Sequence, residues 1–217
     1  MSSSPSKKKA EPKAAGRPRA EEVEARTEDL KRTAGRLMLQ KGYANVSLEM
    51  IAREAHVAVR TIYIKFGGKI GILRALMQDK RDAIFDSIDL ERDPRPIREV
   101  LDDFATRLYS LLTSPEAVGL QRMLAAEARA NPELVDTFFA MGPDVSRGAI
   151  AQFLQRPEVR AQLRDDLPFA QLPVLLINTV LGDQLSRVLR DRQEGTPEEC
   201  ALALRQRMEM FYRSVLR

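Results

Sequence analysis

The apolar residues of this chain recur at helical spacing almost from end to end, and no stretch alternates apolar and polar with period two. Leu30, Ala34, Leu37 and Met38 follow i, i+4, i+7, i+8. Leu48, Ile51, Ala52 and Ala55 repeat the pattern, as do Val59, Ile62, Tyr63 and Phe66. A longer helix is expected from Lys69, carrying Ile70, Leu73, Met77, Ile84 and Ile88. Ile97, Val100, Leu101, Phe104, Leu108, Leu111 and Leu112 form one amphipathic face. The breaks carry their own chemistry. Thr27, ahead of Glu28 and Asp29, reads as an N-cap, Ser47 as another, and Gly42 and Gly67-Gly68 as stops. Ser114-Pro115 predicts a helix running to about Ala130, and Asn131-Pro132 one that carries Leu134, Phe138, Met141, Val145 and Phe153. Leu172 to Leu181 is apolar all round, which predicts burial on most sides. Thr196-Pro197 caps a last helix with the stripe Ala201, Leu204, Met208, Phe211, Tyr212 and Val215. An all-α fold follows, with a seam between about 75 and 95.

Composition removes several function classes. One cysteine, Cys200, cannot form an internal disulfide, and with the single histidine, His56, it cannot build a His/Cys zinc site. His56 has no carboxylate placed by any motif to make a catalytic triad and reads as a turn residue. Gly67-Gly68-Lys69 lacks the frame of a phosphate loop. The neighbours Asp102-Asp103, Asp165-Asp166 and Glu198-Glu199 point about 100° apart on a helix, which suits solvated charges better than acid/base pairs. Asn45-Val46-Ser47 matches a glycosylation acceptor, but Lys7, Lys8 and Lys9 precede no apolar signal region and no run is long enough to span a membrane. A cytoplasmic protein without cofactor or metal is expected.

The net charge of +4 hides an asymmetry. Residues 1–80 hold 17 Lys+Arg against 9 Asp+Glu, and residues 81–217 hold 18 against 22. A basic front suits a polyanionic partner. The Ser/Pro/Lys/Ala-rich residues 1–20 alone hold six Lys+Arg and one Glu, so a disordered basic tail explains much of it.

The two short helices around His56-Val57-Ala58, from Ser47 to Phe66, have the lengths and tight turn of a helix-turn-helix. Ile51, Ala52, Ala55, Val57, Ile62 and Phe66 form a small apolar knot. That knot can hold the second helix so that its N-terminal residues enter a major groove about 12 Å wide. An ordinary helical pair in a bundle is the competing reading. The sequence from Arg26 to Met77 resembles the TetR family of transcriptional regulators. The resemblance rests on Lys41-Gly42-Tyr43, the Ser47…Ile51-Ala52…Ala55 helix, the Val57 turn, Thr61-Ile62-Tyr63…Phe66, and Lys69. Ala126-Glu127-Ala128-Arg129, Asn131-Pro132-Glu133-Leu134, Phe138, Gly142 and Pro143 are similar to the AcrR/AefR-type subgroup.

The resemblance implies base or phosphate contacts for Thr61 and Tyr63, with Arg60 and Lys65 as the other polar candidates on that helix. It implies phosphate contacts for Lys69 at a helix N-terminus, for Ser47 and for Tyr43. His56 stands where the family often has glycine, and Val59 and Ile64 where it commonly has polar residues. Apolar side chains there can meet a thymine methyl, pack internally or pack against a neighbour. Arg17 and Arg19 flank Pro18 in an extended arm that either enters a minor groove or is a solubilising tail.

The expected organisation is a disordered basic arm over 1–22, a DNA-binding domain over 23–75 and a helical ligand-binding and dimerisation domain over 76–217. Helices at about Ala170–Arg190 and Pro197–Leu216 are expected to pair with a second copy. The homodimer would bind a near-palindromic site on double-stranded DNA, with half-sites about 34–36 Å apart or a multiple of that. A small, largely apolar effector is expected among Phe104, Leu108, Met123, Phe138, Met141, Phe153 and Asn178, any of which can equally be plain core. A chromosome-organising DNA binder without effector release is the alternative. A small-molecule-handling helical enzyme is a remote one, with no nucleophile–base pair to support it.

Overall fold

A computed structural model describes residues 20–85, 90, 92–190 and 195–217. It is all-α: the described residues hold no strand, only an isolated bridge between Leu163 and Leu216. Arg17, Arg19 and Ile88 lie outside the described residues, as does the side chain of Ile84.

Three helices open the chain: α1 (Ala20–Lys41), α2 (Leu48–Glu54) and α3 (Val59–Phe66). Helix α1 begins at Ala20, with Glu21 and Glu22 in its first turn, so the expected cap at Thr27 lies in its interior. Thr27 tolerates this because its hydroxyl donates to the Val23 carbonyl, 2.7 Å away, within the helix. Leu30, Ala34 and Met38 of α1 close with Val46, Ile51, Ala52, Ile62 and Ile72 into one buried cluster.

Helix α4 (Lys69–Phe85) packs against α1 and against α7 (Pro132–Met141), and so joins the two halves. The second half holds α5 (Ile97–Leu112), α6 (Pro115–Glu127), α8 (Pro143–Gln155), the short α9 (Pro157–Arg160), α10 (Leu172–Leu181), α11 (Gln184–Leu189) and α12 (Pro197–Val215). Ser114 caps α6 by accepting from the Ala117 amide at 3.2 Å, with Pro115 at the first helical position. That helix ends at Glu127, slightly short of the expected Ala130.

Two long helices expected from periodicity are each broken in two. The helix through Leu134 and Phe153 divides at Gly142-Pro143 into α7 and α8, because Pro143 has no amide to continue the ladder. The helix over Ala170–Arg190 divides at Gly182, whose φ of 61° is left-handed. Arg207 of α12 donates there to the carbonyls of Thr179 (2.8 Å) and Val180 (3.0 Å), which serves the end of α10. Asp183 then caps α11 on the Ser186 amide.

The larger core lies among α5, α8, α10 and α12, centred on Phe104, Ile150, Phe153, Leu176, Val180 and Phe211. Helix α12 starts in a complete capping box between Thr196 and Glu199. Near its other end, the Tyr212 hydroxyl donates to Asp102 Oδ1 of α5 at 2.7 Å. Burial, and then that hydrogen bond, push the phenol well above the usual tyrosine range.

Candidate nucleic-acid interface

Helix α2 is capped at its start by Ser47, whose hydroxyl accepts from the Met50 amide at 3.2 Å. It ends in paired reverse bonds: the Val57 amide donates to Ala52 O at 2.9 Å and the His56 amide to Arg53 O at 3.4 Å. This is a Schellman stop with His56 in the glycine position at φ 53°. Histidine is among the residues that tolerate this region. The stop turns the chain sharply into α3.

Helix α3 divides its residues cleanly between two faces. Ile62 is fully buried, and Val59 and Phe66 pack half-buried on the same cluster. Arg60, Tyr63, Ile64 and Lys65 are exposed, and Thr61 is intermediate. Arg60, Tyr63 and Ile64 stand at i, i+3 and i+4, so they share one outward stripe. Gly67, at φ 72°, ends the helix, and its amide donates to Tyr63 O at 2.9 Å.

The other expected DNA contacts have local partners. The Lys69 ammonium donates to the carbonyls of Tyr43 (2.5 Å) and Val46 (2.8 Å) and lies 4.0 Å from the centre of the Tyr43 ring. Burial lowers its pKa, against the opposing charge of Glu127. It therefore holds the α1–α2 loop, with one ammonium proton not used by these two bonds. Tyr43 is half-buried and packs against both the N-terminal cluster and Leu73, Leu124 and Leu134; burial, then Glu133 and Glu127, raise its pKa. Lys65 hydrogen-bonds Thr27 Oγ1 and ties α3 to α1. Ser47 has its cap to make, so Arg60, Thr61 and Tyr63 are the polar candidates on α3 without such a tie among the bonds described above.

Between the halves lies a cavity of about 960 Å³, walled by α1 and α4 on one side and by α5, α6, α7, α8 and α10 on the other. Leu108, Met123, Phe138 and Asn178 line it, as expected. Phe104 and Phe153, 0% and 2% exposed, belong to the core instead, because α5 and α8 turn those faces toward α10 and α12. Met141 does not line the cavity; its carbonyl accepts from Arg81 at 3.5 Å. Sequence reasoning missed Leu39, Leu76 and Arg81, which α1 and α4 contribute. It also missed Glu127 of α6. One Glu127 carboxylate oxygen accepts from the Ala44 amide at 3.0 Å and the other from Asn131 Nδ2 at 2.6 Å.

A buried three-helix knot, a sharp Schellman turn and an outward helix stripe define a helix-turn-helix DNA-binding regulator. Residues 32–76 match the family described as bacterial regulatory proteins, tetR family. Residues 99–213 match the C-terminal domain of AefR-like transcriptional repressors. The chain belongs to the TetR family of transcriptional regulators, in its AefR-like subgroup. No curated protein matches it. Among solved structures, a TetR-family regulator from Mesorhizobium loti is similar at 18% identity and a TM-score of 0.71, over 89% of this chain and 98% of that one. The flavonoid-responsive regulator FrrA is similar at 23% identity and a TM-score of 0.69, again over 89% and 98%. NalD, the secondary repressor of the MexAB-OprM multidrug efflux pump in Pseudomonas aeruginosa, is 25% identical with a TM-score of 0.64, over 90% and 98%. Among the described residues, no helix is long and apolar enough to cross a membrane.

Proposed function

We propose that the protein is a homodimeric repressor, working in the cytoplasm, that a small and largely apolar effector releases from a near-palindromic operator. Its organisation is an arm ahead of α1, which begins at Ala20 rather than after the expected residue 22, a DNA-binding domain to about residue 75 and a regulatory domain over 76–217. The placement of the cavity carries this reading. The space is bounded by α1 and α4, which carry the DNA-binding unit, and by α6, whose Glu127 holds the loop ahead of α2. A ligand that fits better when these walls move apart also moves α2 and α3, and so shifts the population away from the DNA-bound form. Leucine, methionine and phenylalanine form the largest group in the lining, which suits an apolar or aromatic compound, and Arg32, Arg36, Lys80, Arg81 and Arg147 add basic groups around it. That NalD represses and FrrA responds to flavonoids supports a repressor with such an effector.

The dimer reading is supported by exposed apolar residues on α10, α11 and α12: Leu175, Leu185, Leu189, Leu202 and Met210. Single exposed apolar residues are ordinary, but a set on sequential helices supports pairing with a second copy there. Ser47, Tyr43, Lys65 and Lys69 hold the recognition unit and approach phosphates. Arg60, Thr61 and Tyr63 read bases or phosphates, and Arg17 and Arg19 reach a minor groove. The test is selection of bound duplexes from a random pool with the full chain, followed by titration with a panel of flavonoids and other planar aromatic compounds. An enriched inverted repeat whose complex falls apart with one compound is the expected result. Binding to dispersed sequences that no compound weakens would instead favour a chromosome-organising protein.

A further inference from the structure

Ile64 is 71% exposed although it is an isoleucine on a short helix whose other large aliphatic side chains are turned inward. Ile62, two positions away, is fully buried, and Val59 and Phe66 pack against the N-terminal cluster; Ile64 belongs to none of the buried clusters or their packed margins. The fold therefore gains nothing from a branched apolar residue at 64. A polar residue there would be better solvated, and alanine would favour the helix more. The side chain stands one helical turn from Arg60 on the outward stripe, beside Tyr63.

The major groove offers a single apolar feature, the C5 methyl of thymine. Resting on the regulator reading above, we propose that Ile64 is a specificity-determining residue that selects thymine by packing on this methyl. Arg60 is its polar counterpart, suited to a guanine edge. Four residues of helix rise span about 6 Å, and stacked base pairs are about 3.4 Å apart, so the two bases lie about two base pairs from one another in each half-site. Isoleucine fits this task because its stiff, branched side chain loses little freedom when it packs on the methyl.

Deoxyuridine differs from thymidine only in lacking that methyl, which allows a direct test. Duplexes are selected with the full chain, and each thymine of the enriched site is replaced in turn by deoxyuridine. Affinities of the wild-type protein and of Ile64→Ala are then measured by fluorescence anisotropy. At one thymine per half-site the replacement weakens wild-type binding about fourfold and leaves Ile64→Ala unchanged. At every other thymine the two proteins respond alike. Because residue 64 is exposed and alanine favours the helix, Ile64→Ala melts at or slightly above the wild-type temperature. An enriched site at which every replacement affects both proteins equally overturns the role of Ile64 and leaves the regulator reading intact. Failure of the wild-type chain to enrich any sequence overturns both.

Discussion

Lys69 and Thr61 differ in what surrounds them, and the difference predicts different phenotypes. Lys69 points inward at two loop carbonyls, so Lys69→Ala loosens the loop ahead of α2 as well as removing a charge from the proposed phosphate contacts. It is expected to weaken binding to all duplexes alike and to reduce the salt slope by about one unit. An unchanged slope in a salt titration would remove Lys69 from the phosphate contacts. Thr61→Ala is expected to alter sequence preference more than non-specific affinity, measured as the ratio of operator to random-duplex binding; a uniform loss would contradict a base-reading role. Gly71 makes a structural prediction. A methyl there would stand 1.7 Å from the Phe66 carbonyl oxygen, where α3 meets α4. Alanine should favour the helix by up to about 1 kcal/mol, but the clash is with backbone that cannot rotate away. A net loss of about 1–3 kcal/mol is expected in urea unfolding of Gly71→Ala, and a gain would refute the close approach. At this scale His56 was legible, since a glycine position filled by a tolerant residue reads from sequence. The inward turn of Lys69 was not, because the two carbonyls it meets are set by the path of a loop more than twenty residues earlier.

Helix starts were more legible than helix breaks. Ser47, Ser114, Asp183 and Thr196 cap through side-chain oxygens. The first, second and last of these follow from residue type and a nearby proline or apolar run. The breaks at Gly142 and Gly182 were missed because the apolar stripe continues across them: Phe138 and Phe153, or Leu181 and Leu185, remain compatible with one helical period. Two contacts between elements give predictions. Glu127→Ala removes the hydrogen bonds from Ala44 and Asn131 and is expected to cost about 1–3 kcal/mol, to be read from melting curves. It should also reduce the effector's power to release DNA, seen as a smaller ratio of operator affinities without and with ligand; an undiminished ratio would exclude α6 from the coupling. Tyr212→Phe loses the bond to Asp102 and about 1 kcal/mol. The folded-state pKa of Tyr212 is raised, so its contribution is fully present below the unfolded value of about 10 and is lost as pH rises beyond it. Urea unfolding at about pH 9 and about pH 11 should therefore show wild type losing more stability than Tyr212→Phe across that interval.

For the whole molecule, the asymmetry between a basic front and a mildly acidic remainder has a spatial counterpart. The outward stripe of α3 lies in the first third of the chain, and five of the exposed large apolar residues, Leu175, Leu185, Leu189, Leu202 and Met210, lie on α10 to α12 in the last. Leu185 and Leu189 share one face of α11 and are 69% and 73% exposed. Leu185→Glu with Leu189→Glu is expected to give a folded monomer by analytical ultracentrifugation at micromolar concentration, because neither side chain supports the core. The class of fold was legible from periodicity, and the DNA-binding unit from one compact motif whose residues are close in sequence. The cavity was only half legible. Its regulatory wall supplied Leu108, Met123, Phe138 and Asn178, while the opposite wall comes from α1 and α4 and arises only when the halves pack together. The most direct test of the account is the stoichiometry and sequence of the complex formed with duplexes selected from a random pool, determined by native mass spectrometry and sequencing. The account predicts an inverted repeat occupied by two or another even number of chains. A single chain on DNA, or a pool with no enriched sequence, would contradict it.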